Sequence, residues 1–138
     1  MLEVNLKVTE SAISLNVTDI AAAATFARQH FGFVAGMELP EVVSLHREGV
    51  GFNLIFLPTG LKTFKPAEVA GRAGMGLLVV FVVDDIDTEY ARLRSEGVQV
   101  VTPIETEPWG ERYFQVRDPN GLIYQLVQWL TPAPDATS

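Results

Sequence analysis

The chain has 138 residues, 48% of them hydrophobic and 20% charged, with a net charge of −7 and no cysteine. That acidity argues against a nucleic-acid binder, which needs a basic face for phosphate contacts, and suits a cationic small-molecule partner or simple solubility. The missing cysteines exclude disulfides and thiolate metal sites, and no apolar run reaches the ~18 residues that a membrane-spanning helix needs.

The N-terminal segment 2–8 alternates Leu2, Val4, Leu6 and Val8 with polar residues, a period of two that predicts a strand or an extended arm. It lacks the continuous apolar block of a signal peptide, so a cytoplasmic location is the expectation. A short strand runs from Ser11 to Val17, and Thr18-Asp19 supplies helix-capping chemistry. Ile20, Ala24, Ala27 and Phe31 follow at helical spacing, and Gly32 is placed to end the helix in a left-handed conformation. Phe33–Leu39, Val42–Arg47 and Phe52–Leu57 read as strands, with Glu48-Gly49 turning the chain and Pro58 closing the series. Residues 11–58 therefore read β-α-β-β-β.

Residues 59–75 show no clean periodicity and are long for a connection, so they are expected to be a linker and a candidate flap. The pattern then returns. Gly76–Val83 reads as a buried strand, and Val83-Asp84-Asp85-Ile86 echoes Val17-Thr18-Asp19-Ile20. Asp84, Asp85 and Asp87 are charges that a helix start favours. Ile86, Tyr90 and Leu93 mark a second helical stripe that Gly97 ends. Val98–Val101 reads as a strand and Pro103–Pro108 as a loop. Glu111–Arg117 and Leu122–Trp129 form a hairpin around Asp118-Pro119-Asn120-Gly121, residues that a tight reversal favours. The second unit, 76–129, is again β-α-β-β-β, and a repeat this long implies two copies of one supersecondary unit sharing a core. A single domain over 1–130 is expected, with 131–138 as a flexible tail.

The paired Val-x-Asp-Ile signals, His30-Phe31-Gly32-Phe33, Pro108-Trp109-Gly110-x-Arg112 and Asp118-Pro119-Asn120-Gly121, in this order, resemble the glyoxalase / bleomycin-resistance / extradiol dioxygenase superfamily, also called vicinal oxygen chelate. The resemblance covers about residues 11–130. It implies an α+β fold of two βαβββ modules whose curled mixed sheets wrap a cleft, and a homodimer. It also implies a divalent metal held by His and Glu from the first and last strands of each module. By the family's spacing those positions fall on Ala12 and Leu78 in the first strands, and on Leu54 and Gln125 in the last. Shifting the register by one residue yields no His-and-carboxylate set either, so neither a metal nor another cofactor is expected. The two histidines lie elsewhere: His30 at a helix end, expected on the surface, and His46 on a strand with Val42 and Ser44.

Without a metal, the expected site is an apolar pocket with a few polar groups. Its candidate ligand-binding residues are Trp109, Gln125, Tyr113, Tyr124, His46, Asn53, Phe52 and Arg112. Each has a plainer role open to it. Trp109 could anchor sheet packing, Arg112 could pair with an acid, and Tyr113 and Phe114 must face opposite sides of their sheet. The sequence thus favours a metal-independent protein that binds a small molecule, antibiotics included. A lyase, isomerase or dioxygenase with an atypical site is the alternative, and a regulatory or structural dimer is a third reading.

Overall fold

The computed structural model describes residues 4–63 and 66–130. Its contacts divide the chain between Arg72 and Ala73 into two compact units. In the first, β1 (Ala12–Val17), α1 (Ile20–Phe31), β2 (Val34–Leu39), β3 (Val42–His46) and β4 (Asn53–Pro58) follow in order. In the second, β5 (Val79–Val82), α2 (Ile86–Ser95), β6 (Gln99–Thr106), β7 (Glu111–Arg117) and β8 (Ile123–Trp129) repeat it. The β-α-β-β-β reading of both halves is therefore observed, and the fold is α+β.

Each unit has one four-stranded mixed sheet, ordered β1-β4-β3-β2 or β5-β8-β7-β6. The first strand runs parallel to the last, which is antiparallel to the third. A parallel neighbour needs a crossover, and the helix supplies it.

Local chemistry sets the helix ends as expected. Asp19 caps α1, accepting the Ala22 N–H at 3.0 Å. Asp85 caps α2, accepting from Thr88 N–H at 3.2 Å and Thr88 Oγ1 at 2.7 Å. Gly32 takes φ 72° after α1, a left-handed conformation that a Cβ disfavours, and its N–H donates to the Arg28 carbonyl. The α1 stripe buries Ala24, Ala27 and Phe31 as predicted, and Ala23 and Phe26 join it. In unit one, Leu15, Val17, Val43, Leu45, Leu54 and Phe56 form the core beneath the helix. In unit two, Val79, Ile86, Leu93, Phe114, Val116, Tyr124 and Leu126 do the same. Each sheet thus covers one face with its own helix and leaves the other open within the unit.

Several expectations change. His30, expected on the surface, is buried at 9% exposure, its ring edge-on to Phe26 one turn earlier at 4.8 Å. Of the strand or extended arm expected over 2–8, residues 4–8 form no strand; residues 2 and 3, and the 131–138 tail, lie outside the described residues. Strand β5 starts at Val79 rather than Gly76, and it is buried on one face only, with Val80 and Val82 exposed. The largest change is at 103–108. Strand β6 continues to Thr106, through Pro103. It is an edge strand whose register shifts between Val100 and Thr102 and again between Thr102 and Glu105. Edges and bulges are where a strand tolerates a residue that lacks an N–H.

Part of the 59–75 connection is anchored to its own unit. It holds one 3₁₀ turn, Ala67–Val69. Asn16 Nδ2 donates to the Val69 and Gly71 carbonyls at 2.9 and 3.0 Å, and the Gly60 N–H donates to Ala70 at 2.9 Å. Asn16 is 8% exposed, so its amide bonds the strap in place of water. Asn16→Ala removes both side-chain bonds and leaves the sheet ladder intact. Limited trypsin digestion of the variant is expected to cut at Arg72 at least ~10-fold faster than in the parent, with little change in global stability.

Candidate functional site

Side-chain alternation divides each sheet into a helix face and an open face. In unit two, β7 pairs with β8 as Glu111↔Trp129, Tyr113↔Val127, Gln115↔Gln125 and Arg117↔Ile123 on the open side. Strand β5 adds Val80 opposite Gln125 and Val82 opposite Val127. Strand β6 adds Thr102 opposite Gln115, Glu105 opposite Tyr113 and Gln99 opposite Arg117.

The centre of that face is a row of neutral polar side chains. Thr102 Oγ1 donates to Gln115 Oε1 at 2.7 Å, and Gln115 Nε2 donates to Gln125 Oε1 at 2.8 Å. Gln125 thus joins a ladder with two partners, Thr102 and Gln115, that sequence reasoning missed. The signal was present: pairing the two arms across the Asp118–Gly121 turn sets Gln115 opposite Gln125. One row along, the Tyr113 hydroxyl donates to Glu105 Oε2 at 3.3 Å. Loss of solvation and the charges of Glu105, Glu107 and Glu111 push the Tyr113 phenol up, so it stays a neutral donor at neutral pH. At the end of the face Trp109 Nε1 donates to Glu111 Oε1 at 3.1 Å, and Trp129 stands opposite Glu111. Both indoles are substantially exposed, at 49% and 39%. The face therefore grades from acidic and aromatic, through neutral amides, to exposed Arg117.

Of the sequence candidates, Trp109, Tyr113 and Gln125 come together here. Tyr124 does not. It turns to the helix side, fully buried and stacked on Phe81 at 6.1 Å, where burial and the nearby Asp118 charge raise its phenol far above the ordinary value. Arg112 also leaves the open face. Its guanidinium bonds Asp87 through Nη2 at 2.7 Å and Nε at 3.2 Å, and Thr106 through Nη1 at 2.7 Å, tying β7 to the start of α2. The Arg112 hydrogen bond holds the Asp87 carboxyl below its usual value.

Phe52, Asn53 and His46 belong to unit one. Phe52 precedes β4 rather than lying in it. Asn53 Nδ2 donates to Glu10 at 3.2 Å. His46 is exposed at the end of β3, its Nδ1 3.5 Å from where a Cβ on Gly36 would stand.

The four metal-ligand positions can be tested the same way. Leu54 is fully buried on the helix face, so Asn53 and Ile55 are the open-face residues of β4. Leu78 precedes β5, and Val80 stands opposite Gln125. Ala12, Val80 and Ile55 carry no lone pair on their side chains, Ser14 and Asn53 offer only a neutral hydroxyl and a neutral amide, and Gln125 offers one neutral amide oxygen already accepting a hydrogen bond. No group of three His, Cys, Asp or Glu side chains comes together among the described residues. This donor set does not fit a divalent ion.

Two βαβββ units with helix-covered sheets and polar open faces define the class of fold. The family model for the Glyoxalase/Bleomycin resistance protein/Dioxygenase superfamily matches residues 11–126, and the chain belongs to that superfamily. Among solved structures it is similar to a glyoxalase/bleomycin resistance protein/dioxygenase from Nocardioides, with 23% identity, 96% of this chain and 91% of that chain covered, and a TM-score of 0.76. TnmS3, an antibiotic binding protein from Streptomyces sp. CB03234, is 24% identical, with 91% and 98% covered and a TM-score of 0.69. A lactoylglutathione lyase from Agrobacterium tumefaciens is 22% identical, with 86% and 91% covered and a TM-score of 0.69. An uncharacterised protein of Mycobacterium bovis is 33% identical over 69 residues; the match spans 50% of this chain and 43% of that protein. The chain thus covers less than half the length of the curated relative it matches. No helix among the described residues is long and apolar enough to cross a membrane.

Proposed function

We propose that this protein binds a small molecule, without a metal, on the open face of its second sheet. The observation that carries the reading is the neutral Thr102–Gln115–Gln125 ladder, in register with Val80, where a carboxylate would be needed to hold an ion. Two exposed tryptophans and Tyr113 flank it, and aromatic side chains offer large contact area at low entropic cost. The antibiotic-binding protein among its structural neighbours supports an antibiotic as the ligand, and the exposed aromatic side chains favour an aromatic one. The resemblance adds a homodimer, which sedimentation equilibrium tests: a monomer at all concentrations removes it.

Titration with bleomycin, mitomycin and related compounds, followed by tryptophan fluorescence, is expected to show saturable quenching, because both indoles lie at this face. A flat response across the panel sinks the antibiotic version. The lyase neighbour keeps an enzymatic reading as the alternative. Elemental analysis of protein purified without chelator separates the two. Stoichiometric zinc, nickel, manganese or iron reverses the ranking.

A further inference from the structure

The polar ladder is chemically one-sided. In the sense observed, Thr102 donates to Gln115 and Gln115 donates to Gln125, so each bond spends an oxygen of the next amide. What remains on Gln125 is its NH₂, which makes no hydrogen bond among the described residues. Reversing both amides would still leave one Gln125 N–H unspent, so a donor is offered in either sense. The ladder carries no charge. The ionised groups on this face lie to its sides, Glu105 and Glu111 beyond Tyr113, and Arg117 on the other flank. Around it stand Val80, Val82 and Tyr113, with Trp129 farther along β8. A pleated sheet face of this kind suits a flat apolar body.

We infer that the Thr102–Gln115–Gln125 ladder reads the carbonyl oxygen of a neutral, flat aromatic ligand, with Gln125 donating and Gln115 and Thr102 holding it in place. This rests on the small-molecule reading above. A ladder that only stiffens the sheet is the competing account, since cross-strand polar pairs stabilise by themselves. The two differ in ligand preference, because a purely structural ladder has no reason to distinguish a ketone from its hydrocarbon.

The test uses 9-fluorenone and fluorene, two planar molecules that differ at one carbon, in equilibrium dialysis with the full chain and EDTA present. Fluorenone is expected to bind roughly tenfold tighter, the upper range for one neutral hydrogen bond. Gln125→Glu keeps an acceptor for Gln115 and removes the donor; the ratio of fluorenone to fluorene affinity in the variant is expected to fall to about one. The chelator prevents the new carboxylate from recruiting an ion. Thr102→Val is expected to cut the ratio of the two affinities roughly threefold. The Gln125 side-chain amide proton is expected to shift on adding fluorenone and to stay in place with fluorene. Equal binding of the two compounds, or a preference that survives Gln125→Glu, overturns the inference and leaves the small-molecule reading standing. Failure of both compounds to bind removes the aromatic ligand class and this inference with it.

Discussion

Replacing Phe114 by alanine is expected to cost about 3–5 kcal/mol, enough to unfold a large fraction of a domain whose total stability is roughly 5–15 kcal/mol. Phe114 is fully buried on the helix face of β7, with its ring 4.9 Å from that of Tyr90 on α2 and Leu126 opposite it on β8. Truncation removes the whole ring at a place fixed by a helix and a central strand, so little of the void can collapse. Tyr113, one residue earlier, is the matched control. It is half-buried on the open face, and its hydroxyl donates to Glu105. Tyr113→Ala is expected to cost less than about 1 kcal/mol of stability and to weaken ligand binding instead. Urea denaturation of both variants checks the first half and fluorescence titration the second. Comparable losses of stability would mean that the two faces of the sheet are not divided as described.

The second large effect is at Asp118. Its carboxylate is 3% exposed, and Oδ1 accepts the backbone N–H groups of Asn120 and Leu122, both at 2.8 Å. The turn is closed further by the Gly121 N–H on the Asp118 carbonyl at 3.0 Å, with Gly121 at φ 87°. Asp118→Ala strands two buried donors and is expected to cost about 3 kcal/mol. Asp118→Asn keeps an acceptor and is expected to stay within about 1 kcal/mol of the parent.

The acid also has a pH signature. Burial pushes the Asp118 carboxyl up, and the N–H groups of Leu122, Asn120 and Gly121 pull it back without cancelling the rise. The native state then holds the proton more tightly than the unfolded chain does. That contribution is full below the ordinary aspartate value of about 3.9 and is lost as pH rises through the raised native value. Asp118→Asn should remove this component, so the parent-minus-variant stability falls over that window and is flat above it. Denaturant midpoints taken across that range for both proteins check the sign. A difference that grows with pH would reverse it.

The paired modules were legible because their signals are local. Capping aspartates, apolar stripes and glycines at helix ends each act within a few residues, and the repeat doubled them. The misread parts depend on neighbours distant in sequence. Pro103 looked like a loop because an interior strand would reject it, but its strand lies at an edge with shifted register. His30 looked exposed because histidine at a helix end usually is, but Phe26 covers it. At the candidate site, alternation alone left Tyr113 and Phe114 interchangeable until α2 packed on one of them. Gln125 stood out only against a family pattern, Gln115 emerges only once the hairpin arms are paired across the turn, and Thr102 carried no signal because the register of β6 shifts on both sides of it.

The parallel pairing of each module's first strand with its last has a consequence for synthesis. Among the described residues strand β5 has no sheet partner other than β8, and β8 also separates β5 from β7. As the chain leaves the ribosome, the first sheet can close once Pro58 has emerged. The second cannot form its central contacts until Trp129 has done so, and β5, with its exposed Val80 and Val82, waits through that interval. A nascent chain arrested before Ile123 would present one finished sheet and one aggregation-prone half.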